Sequence, residues 1–177
     1  MNGELDFEAA LDERVGLLDG MSTDMLAEAW KTVEYTGGAK TLVATMKANG
    51  AYAALVSGGF DFFTGAVRRE LGFDFDQANV LITKDGTLTG KVQKPVLDRQ
   101  AKVDALEKLS AQQGVGVEDA IAVGDGANDL QMISLAGTGV AFHAKPSVQE
   151  QARICINHGD LTALLYLQGY AKSDFSS

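Results

Sequence analysis

Two carboxylates and an amide stand close together in the segment Gly124-Asp125-Gly126-Ala127-Asn128-Asp129. The residues just before it, Ala120 to Val123, are small and apolar and predict a buried strand, and a helix pattern follows from Asn128. Asp125, Asn128 and Asp129 are therefore expected at the carboxyl end of a strand, the edge at which open α/β sheets bind ligands. The glycines beside Asp125 admit close backbone approach, and a helix N-terminus there favours an anion. Hard oxygen donors of this kind suit Mg²⁺, which takes one or two protein carboxylates together with phosphate and water. Gly-Asp-Gly is also ordinary turn chemistry, and an aspartate at a helix start is an ordinary cap. Other segments have to decide between the two.

Three further groups bear on that choice. Ser57-Gly58-Gly59 follows a continuous apolar run, Ala51 to Val56, and precedes a helical stripe of Phe60, Phe63, Val67 and Leu71. A hydroxyl with free backbone N–H groups at a strand end makes a phosphate seat; the alternative is an N-cap serine with loop glycines. Lys102 falls on the outer side of a helix predicted from about Arg99 to Gln113, whose Val103, Leu106 and Leu109 point inward, so by itself it reads as a solvated lysine. Arg14 lies seven residues after Phe7 and shares nearly one face with it on a helix carrying Phe7, Leu11, Val15 and Leu18. An arginine on an apolar stripe either snorkels to water or pairs with a buried acid, or it reaches a carboxylate or phosphate across a cleft. A hydroxyl seat, a lysine and a magnesium carboxylate are the parts that phosphoryl transfer uses to position phosphate and neutralise its charge.

The elements that must hold these groups follow from periodicity. After the Phe7 helix, Ser22 or Thr23 can cap a second helix running to about Val33. The break at Thr36-Gly37-Gly38 divides a small helical cap, residues 1–36, from a main domain, residues 37–177. A helix bearing Leu42, Val43 and Met46, the Ala51–Val56 strand and the Phe60 helix come next. Val80–Thr83 and Thr87–Val92 flank Lys84-Asp85-Gly86, a hairpin signal. The Arg99 helix, the Ala120 strand, the Leu130 helix, strands near Val140 and Ile154, and a last helix with Leu161, Leu164 and Leu165 complete the order. Alternating strands and helices imply an α/β fold with a mostly parallel sheet covered on both faces. The polar tail from Lys172 is expected to fray.

Bulk properties narrow the function. The chain has 177 residues, 46% hydrophobic and 22% charged, enough for one domain with a real core and a small accessory domain. A net charge of −9 argues against a general nucleic-acid binder but leaves room for a small anionic substrate, because local cations and a metal can overcome the global field. Cys155, the only cysteine, sits in a strand-like setting and is expected to be a buried structural thiol. His143 and His158 read as structural or exposed. No apolar run approaches membrane-spanning length and no signal peptide is visible at the start, so a cytoplasmic protein is expected.

The chain resembles phosphoserine phosphatases of the haloacid dehalogenase-like superfamily. The resemblance runs through Gly3 to Val15, Leu55-Val56-Ser57-Gly58-Gly59-Phe60, Lys84 to Gly90, Ala101-Lys102, Val123 to Met132 and Phe142 to Pro146, and so covers nearly the whole chain. It implies an α/β core with a small helical cap and hydrolysis of L-phosphoserine to serine and phosphate, the last step of serine synthesis, with Mg²⁺ and through an aspartyl-phosphate. By resemblance, Ser57 binds the phosphoryl group with the backbone at Gly58, and Lys102 stabilises it. Asp125 binds Mg²⁺, Asp129 supports the metal and the lysine, and Asn128 contacts substrate. Phe7 and Arg14 lie in the cap near the substrate, with Arg14 taking its carboxylate, a bidentate role that suits arginine.

One departure stands out. The family's nucleophile is the first aspartate of an Asp-x-Asp-x-Thr motif on a first strand, with the second aspartate as general acid and base, and no such motif occurs here. Asp74 and Asp76 have the spacing, but they follow a helix and Gly72, lack an apolar strand before them, and align with a loop in the family. By resemblance the absent strand is central, between the strand before Ser57 and the strand before Asp125. The chain is therefore expected to be an inactive or impaired fragment, poorly stable alone unless another chain or a further segment fills the sheet. Two other readings stay open: a noncatalytic protein that keeps a phosphate or phosphoserine site, and a phosphatase for another phosphorylated metabolite.

Overall fold

A computed structural model describes residues 2–176, with side chains from residue 7 onward. The chain opens with three helices, α1 (Asn2–Gly16), α2 (Asp24–Trp30) and α3 (Ala39–Ala48). Strand β1 (Ala54–Phe60), helix α4 (Asp61–Leu71) and strands β2 (Phe75–Asn79), β3 (Leu81–Lys84) and β4 (Thr87–Val92) follow. Helix α5 (Arg99–Gln113) leads into β5 (Ile121–Gly124), α6 (Leu130–Leu135), β6 (Thr138–Phe142), α7 (Pro146–Gln149), β7 (Ile154–Ile156) and α8 (Ala163–Leu167). Parallel strands linked through helices make this the expected α/β fold. The chain divides into two compact units, one of residues 1–35 and 53–98, the other of residues 36–52 and 99–177.

The first unit has two small sheets. Its hairpin, β3 with β4, turns on Asp85 (φ 50°) and Gly86 (φ 78°), the pair of left-handed residues that a two-residue hairpin turn needs to match strand twist. The inward residues Leu81, Leu88 and Val92 meet Val15 of α1 in a core edged by Leu11, Leu18 and Leu26. The apolar stripe foreseen on α1 is thus the face that buries it against the hairpin. Strands β1 and β2 pair in parallel. The second of these lies where the sequence suggested a loop; the alternation Phe73-Asp74-Phe75-Asp76 was its signal. The aspartates have structural partners there. Asp74 Oδ2 accepts the Ala53 N–H at 2.9 Å, and Asp76 accepts from the Thr64 hydroxyl at 2.8 Å and pairs with Arg68.

The second unit holds a parallel sheet in the order β5-β6-β7. Central β6 is the most enclosed, with Val140 and Ala141 fully buried. Edge strand β7 turns Ile154 and Ile156 inward and Cys155 outward. The cysteine is therefore exposed, and the expected buried thiol is not found; simple alternation along a one-sided edge strand explains it. His143 is exposed, with Nε2 3.0 Å from the Gly159 carbonyl. The expected fraying of the tail also fails. The Ser176 N–H donates to the buried hydroxyl of Thr45 on α3 at 2.8 Å, and Phe175 rests on Tyr166. No helix among the described residues is long and apolar enough to cross a membrane.

Candidate functional site

In the first unit the sequence around Ser57 folds into an interruption of β1. Between Val56 and Phe60 that strand advances four residues while its partner advances two, Gln77 to Asn79. Ser57-Gly58-Gly59 is therefore a bulge, a device that lifts backbone amides and re-aims side chains out of the ladder. The expected placement needs adjusting: α4 starts later, at Asp61, with Phe60 as its cap residue, so Ser57 does not cap a helix. Instead the Gly59 N–H donates to the Ser57 hydroxyl at 3.0 Å. The Gly58 carbonyl accepts from Asn79 Nδ2 at 2.9 Å, and Asn79 Oδ1 accepts the Leu97 N–H at 2.7 Å.

Helix α1 brings Phe7 over this bulge. A Cβ placed on Gly58 would stand 3.8 Å from the tip of the Phe7 ring, so the ring covers the Gly58 backbone. Two turns further on, Arg14 is exposed, and no ion pair or hydrogen bond among the described residues engages its guanidinium. Of the alternatives for this arginine, pairing with a buried acid is not found among the described residues. Lys94 bridges Glu8 Oε1 (2.7 Å) and Asp12 Oδ2 (2.8 Å) and ties α1 to the segment after β4.

In the second unit Asp125 ends β5, and Asp129 lies in a single 3₁₀ turn, Ala127–Asp129, ahead of α6. Asp129 is 4% exposed and has both oxygens engaged. Its Oδ1 pairs with Lys102 Nζ, and its Oδ2 accepts the N–H groups of Asp125 at 3.1 Å and Gly126 at 3.0 Å. A side chain on Gly124 would overlap Asp129, so the glycine is required there by close approach. Lys102 is 9% exposed and buried in this pair, not solvated as its helix position suggested. Helical periodicity gives the stripe on α5 but not a partner on the turn that follows β5. Asn128 is exposed and folds toward Gly126, leaving its amide accessible.

The donor set suits a hard cation in part. Asp125 presents an exposed carboxylate that no described residue engages, at a strand end lined by backbone amides. Asp129 is already saturated and can act on a metal only indirectly. No group of three or more His, Cys, Asp or Glu among the described residues gathers as a metal cluster. One free carboxylate plus phosphate and water is nevertheless within what Mg²⁺ accepts, whereas Zn²⁺ would want more nitrogen or sulfur ligands.

The haloacid dehalogenase-like hydrolase family matches residues 2–134. The chain belongs to that family. Within it, the chain is 44% identical over 174 residues to a phosphoserine phosphatase of Streptomyces coelicolor, covering 98% of this chain and 42% of that protein. It is 44% identical over 165 residues to a phosphoserine phosphatase of Methanocaldococcus jannaschii, covering 93% of this chain and 78% of that one. A solved phospho-aspartyl intermediate analogue of phosphoserine phosphatase superposes with a TM-score of 0.86 at 43% identity, covering 94% of this chain and 80% of that one. The chain thus spans less than half of the Streptomyces relative and about four fifths of the Methanocaldococcus one. Apart from Phe142 to Pro146, the motifs that suggested the family lie within residues 2–134.

Proposed function

We propose that this protein is a Mg²⁺-dependent phosphoserine phosphatase of the cytoplasm, hydrolysing L-phosphoserine to serine and phosphate. The observation that carries the reading is the division of labour between two neighbouring acids: Asp129 is saturated by Lys102 and two backbone amides, while Asp125 is left free. A buried, oriented lysine beside an unengaged hard-oxygen ligand is suited to a phosphoryl group and its metal. Mg²⁺ at Asp125 would neutralise phosphate charge. Ser57 and the amide backbone at Gly58 orient the phosphoryl oxygens. Lys102, aimed by Asp129, offsets their charge, and Asn128 adds a polar contact. Phe7 covers the amino-acid part, and Arg14 takes its carboxylate. Residues 1–36 serve, in this reading, as part of a cap on the core of residues 37–177.

The family's nucleophile is a carboxylate of an Asp-x-Asp-x-Thr segment, which residues 1–177 do not include, and Asp74 and Asp76 hold structural bonds. We infer that turnover requires such a segment from outside these residues or from another chain, pairing with a strand edge such as that of β1 or β5. Its carboxylate oxygen attacks phosphorus, and the departing serine oxygen takes a proton from the second aspartate; water then cleaves the aspartyl-phosphate, giving phosphate and restoring the carboxylate. The test is phosphate release from L-phosphoserine and Mg²⁺ by residues 1–177, with and without an added Asp-x-Asp-x-Thr strand. Release only with the added strand is expected. Release by residues 1–177 alone would overturn the inference about the nucleophile. Binding of phosphoserine with no release in either arm would overturn the phosphatase reading in favour of a binding protein.

A further inference from the structure

Asn79 is a buried polar residue that the proposed chemistry has not used. It is 2% exposed, on β2 opposite the bulge of β1, in register with Phe60. A buried side-chain amide costs free energy unless its groups are paired, and here both ends are paired with main chain: Nδ2 donates to the Gly58 carbonyl at 2.9 Å and Oδ1 accepts the Leu97 N–H at 2.7 Å. The partners dictate the orientation of the amide. The Leu97 N–H can only donate and the Gly58 carbonyl can only accept, so a flipped amide would lose both bonds.

The Gly58 carbonyl and the Gly59 N–H belong to one planar trans peptide and point in opposite directions. Holding the carbonyl therefore aims the N–H, and that N–H donates to the Ser57 hydroxyl at 3.0 Å. With its oxygen accepting from Gly59, the serine keeps its own proton to donate outward. Glycine at both 58 and 59 would otherwise let this peptide rotate with little hindrance. We propose that Asn79 is a positioning residue: through the Gly58–Gly59 peptide it sets the direction in which Ser57 donates to the phosphoryl group. The proposal rests on the phosphate-seat reading of Ser57.

The test uses Asn79→Asp, Asn79→Thr, Ser57→Ala and the double variant Asn79→Asp/Ser57→Ala, in the protein supplied with its nucleophile segment. An ionised aspartate at 79 still accepts from Leu97 but repels the Gly58 carbonyl. A protonated one restores the donor. Turnover of L-phosphoserine by Asn79→Asp is expected to fall roughly ten- to a hundredfold at neutral pH, as for small misplacements of a catalytic group. The deficit relative to the unaltered protein should shrink as pH is lowered. Asn79→Thr, too short to reach and unable to titrate, should lose turnover without that recovery. In the double variant, Asn79→Asp should add nothing to the loss from Ser57→Ala, because the two act in series. Hydrogen exchange at the Gly59 amide should speed up in both Asn79 variants. Multiplicative losses in the double variant, or a deficit independent of pH, would reduce Asn79 to a structural role and overturn the proposal. If the unaltered protein hydrolyses no phosphoserine, the phosphatase reading fails by itself; Asn79 is then judged on Gly59 exchange, and unchanged exchange overturns it.

Discussion

Asp129 is the residue whose loss should be felt most. Removing it leaves the Lys102 ammonium buried without a partner and strands two backbone N–H groups. Breaking one side of a buried ion pair costs about 3–5 kcal/mol, so Asp129→Ala should lower the free energy of unfolding by that amount, seen as a lower denaturant midpoint, and abolish turnover. Lys102→Met, close in shape and uncharged, should cost less stability while still removing turnover; urea titration and phosphate release separate the two. Arg14 makes the opposite case. It is exposed and engages no other described residue, so Arg14→Ala should change stability by no more than about 0.5 kcal/mol. It should raise KM for L-phosphoserine strongly and leave a substrate without the carboxylate, such as phosphoethanolamine, unaffected. Equal losses on both substrates would argue against a carboxylate clamp. At this scale the sequence says more about local turn and helix chemistry than about where side chains point. Gly124-Asp125-Gly126 was legible because turn chemistry and ligand chemistry coincide there. The burial of Lys102 was not, because helical periodicity says which way a lysine faces on its own helix and nothing about an acid arriving from a distant strand. Asn79 gave no signal at all, since its importance depends on a backbone carbonyl twenty-one residues earlier in the chain.

Elements were read unevenly for physical reasons. Helix α5 and the β3–β4 hairpin emerged where expected, because a 15-residue run without Gly or Pro, closed by Gly114, and an Asp-Gly turn are strong local signals. Strand β2 carries a weak local signal: the Phe/Asp alternation of residues 73–76 overlaps only its start, and Asp74 and Asp76 find their partners through the fold. The tail is polar, yet it docks through one backbone N–H on Thr45 and one ring contact. The start of α8 carries a pH-dependent element. The Thr162 hydroxyl, then the Thr162 backbone N–H, hold the Asp160 carboxyl below its ordinary value of 3.8. A depressed carboxylate adds stability above its unfolded pKa and loses it as pH falls through the folded value. Asp160→Asn should therefore be less stable than the unaltered chain at neutral pH, and the gap should close on acidification below the ordinary carboxylate range. A gap constant from neutral pH to strongly acid pH would contradict this. Lys94 behaves in the opposite sense. Its bonds to Asp12, then Glu8, raise its pKa, so the lysine keeps its side of the tie on α1 through the neutral range and loses it in strong base.

At the scale of the whole molecule, β1 pairs only with β2, and β5 only with β6, among the described residues. Unpaired edges of parallel strands are sites at which a further strand can add. If the nucleophile segment pairs there, it binds the folded chain and not the unfolded one, so the thermal midpoint of residues 1–177 should rise with its concentration. At a hundredfold excess over Kd the gain is about 2.7 kcal/mol. A midpoint indifferent to the segment would count against strand addition. The acidic balance of the chain, −9 overall, makes binding of a phosphorylated anion depend on local cations and on the metal proposed at Asp125. The most direct measurement of the central claim is accordingly Mg²⁺-dependent phosphate release from L-phosphoserine by the complemented protein, compared with its Asp125→Ala variant. The account predicts release that needs Mg²⁺ and falls at least a hundredfold in the variant, of the order seen when a transition-state charge partner is removed. Release that is unchanged in Asp125→Ala, or equally fast after chelation of the metal, would contradict it.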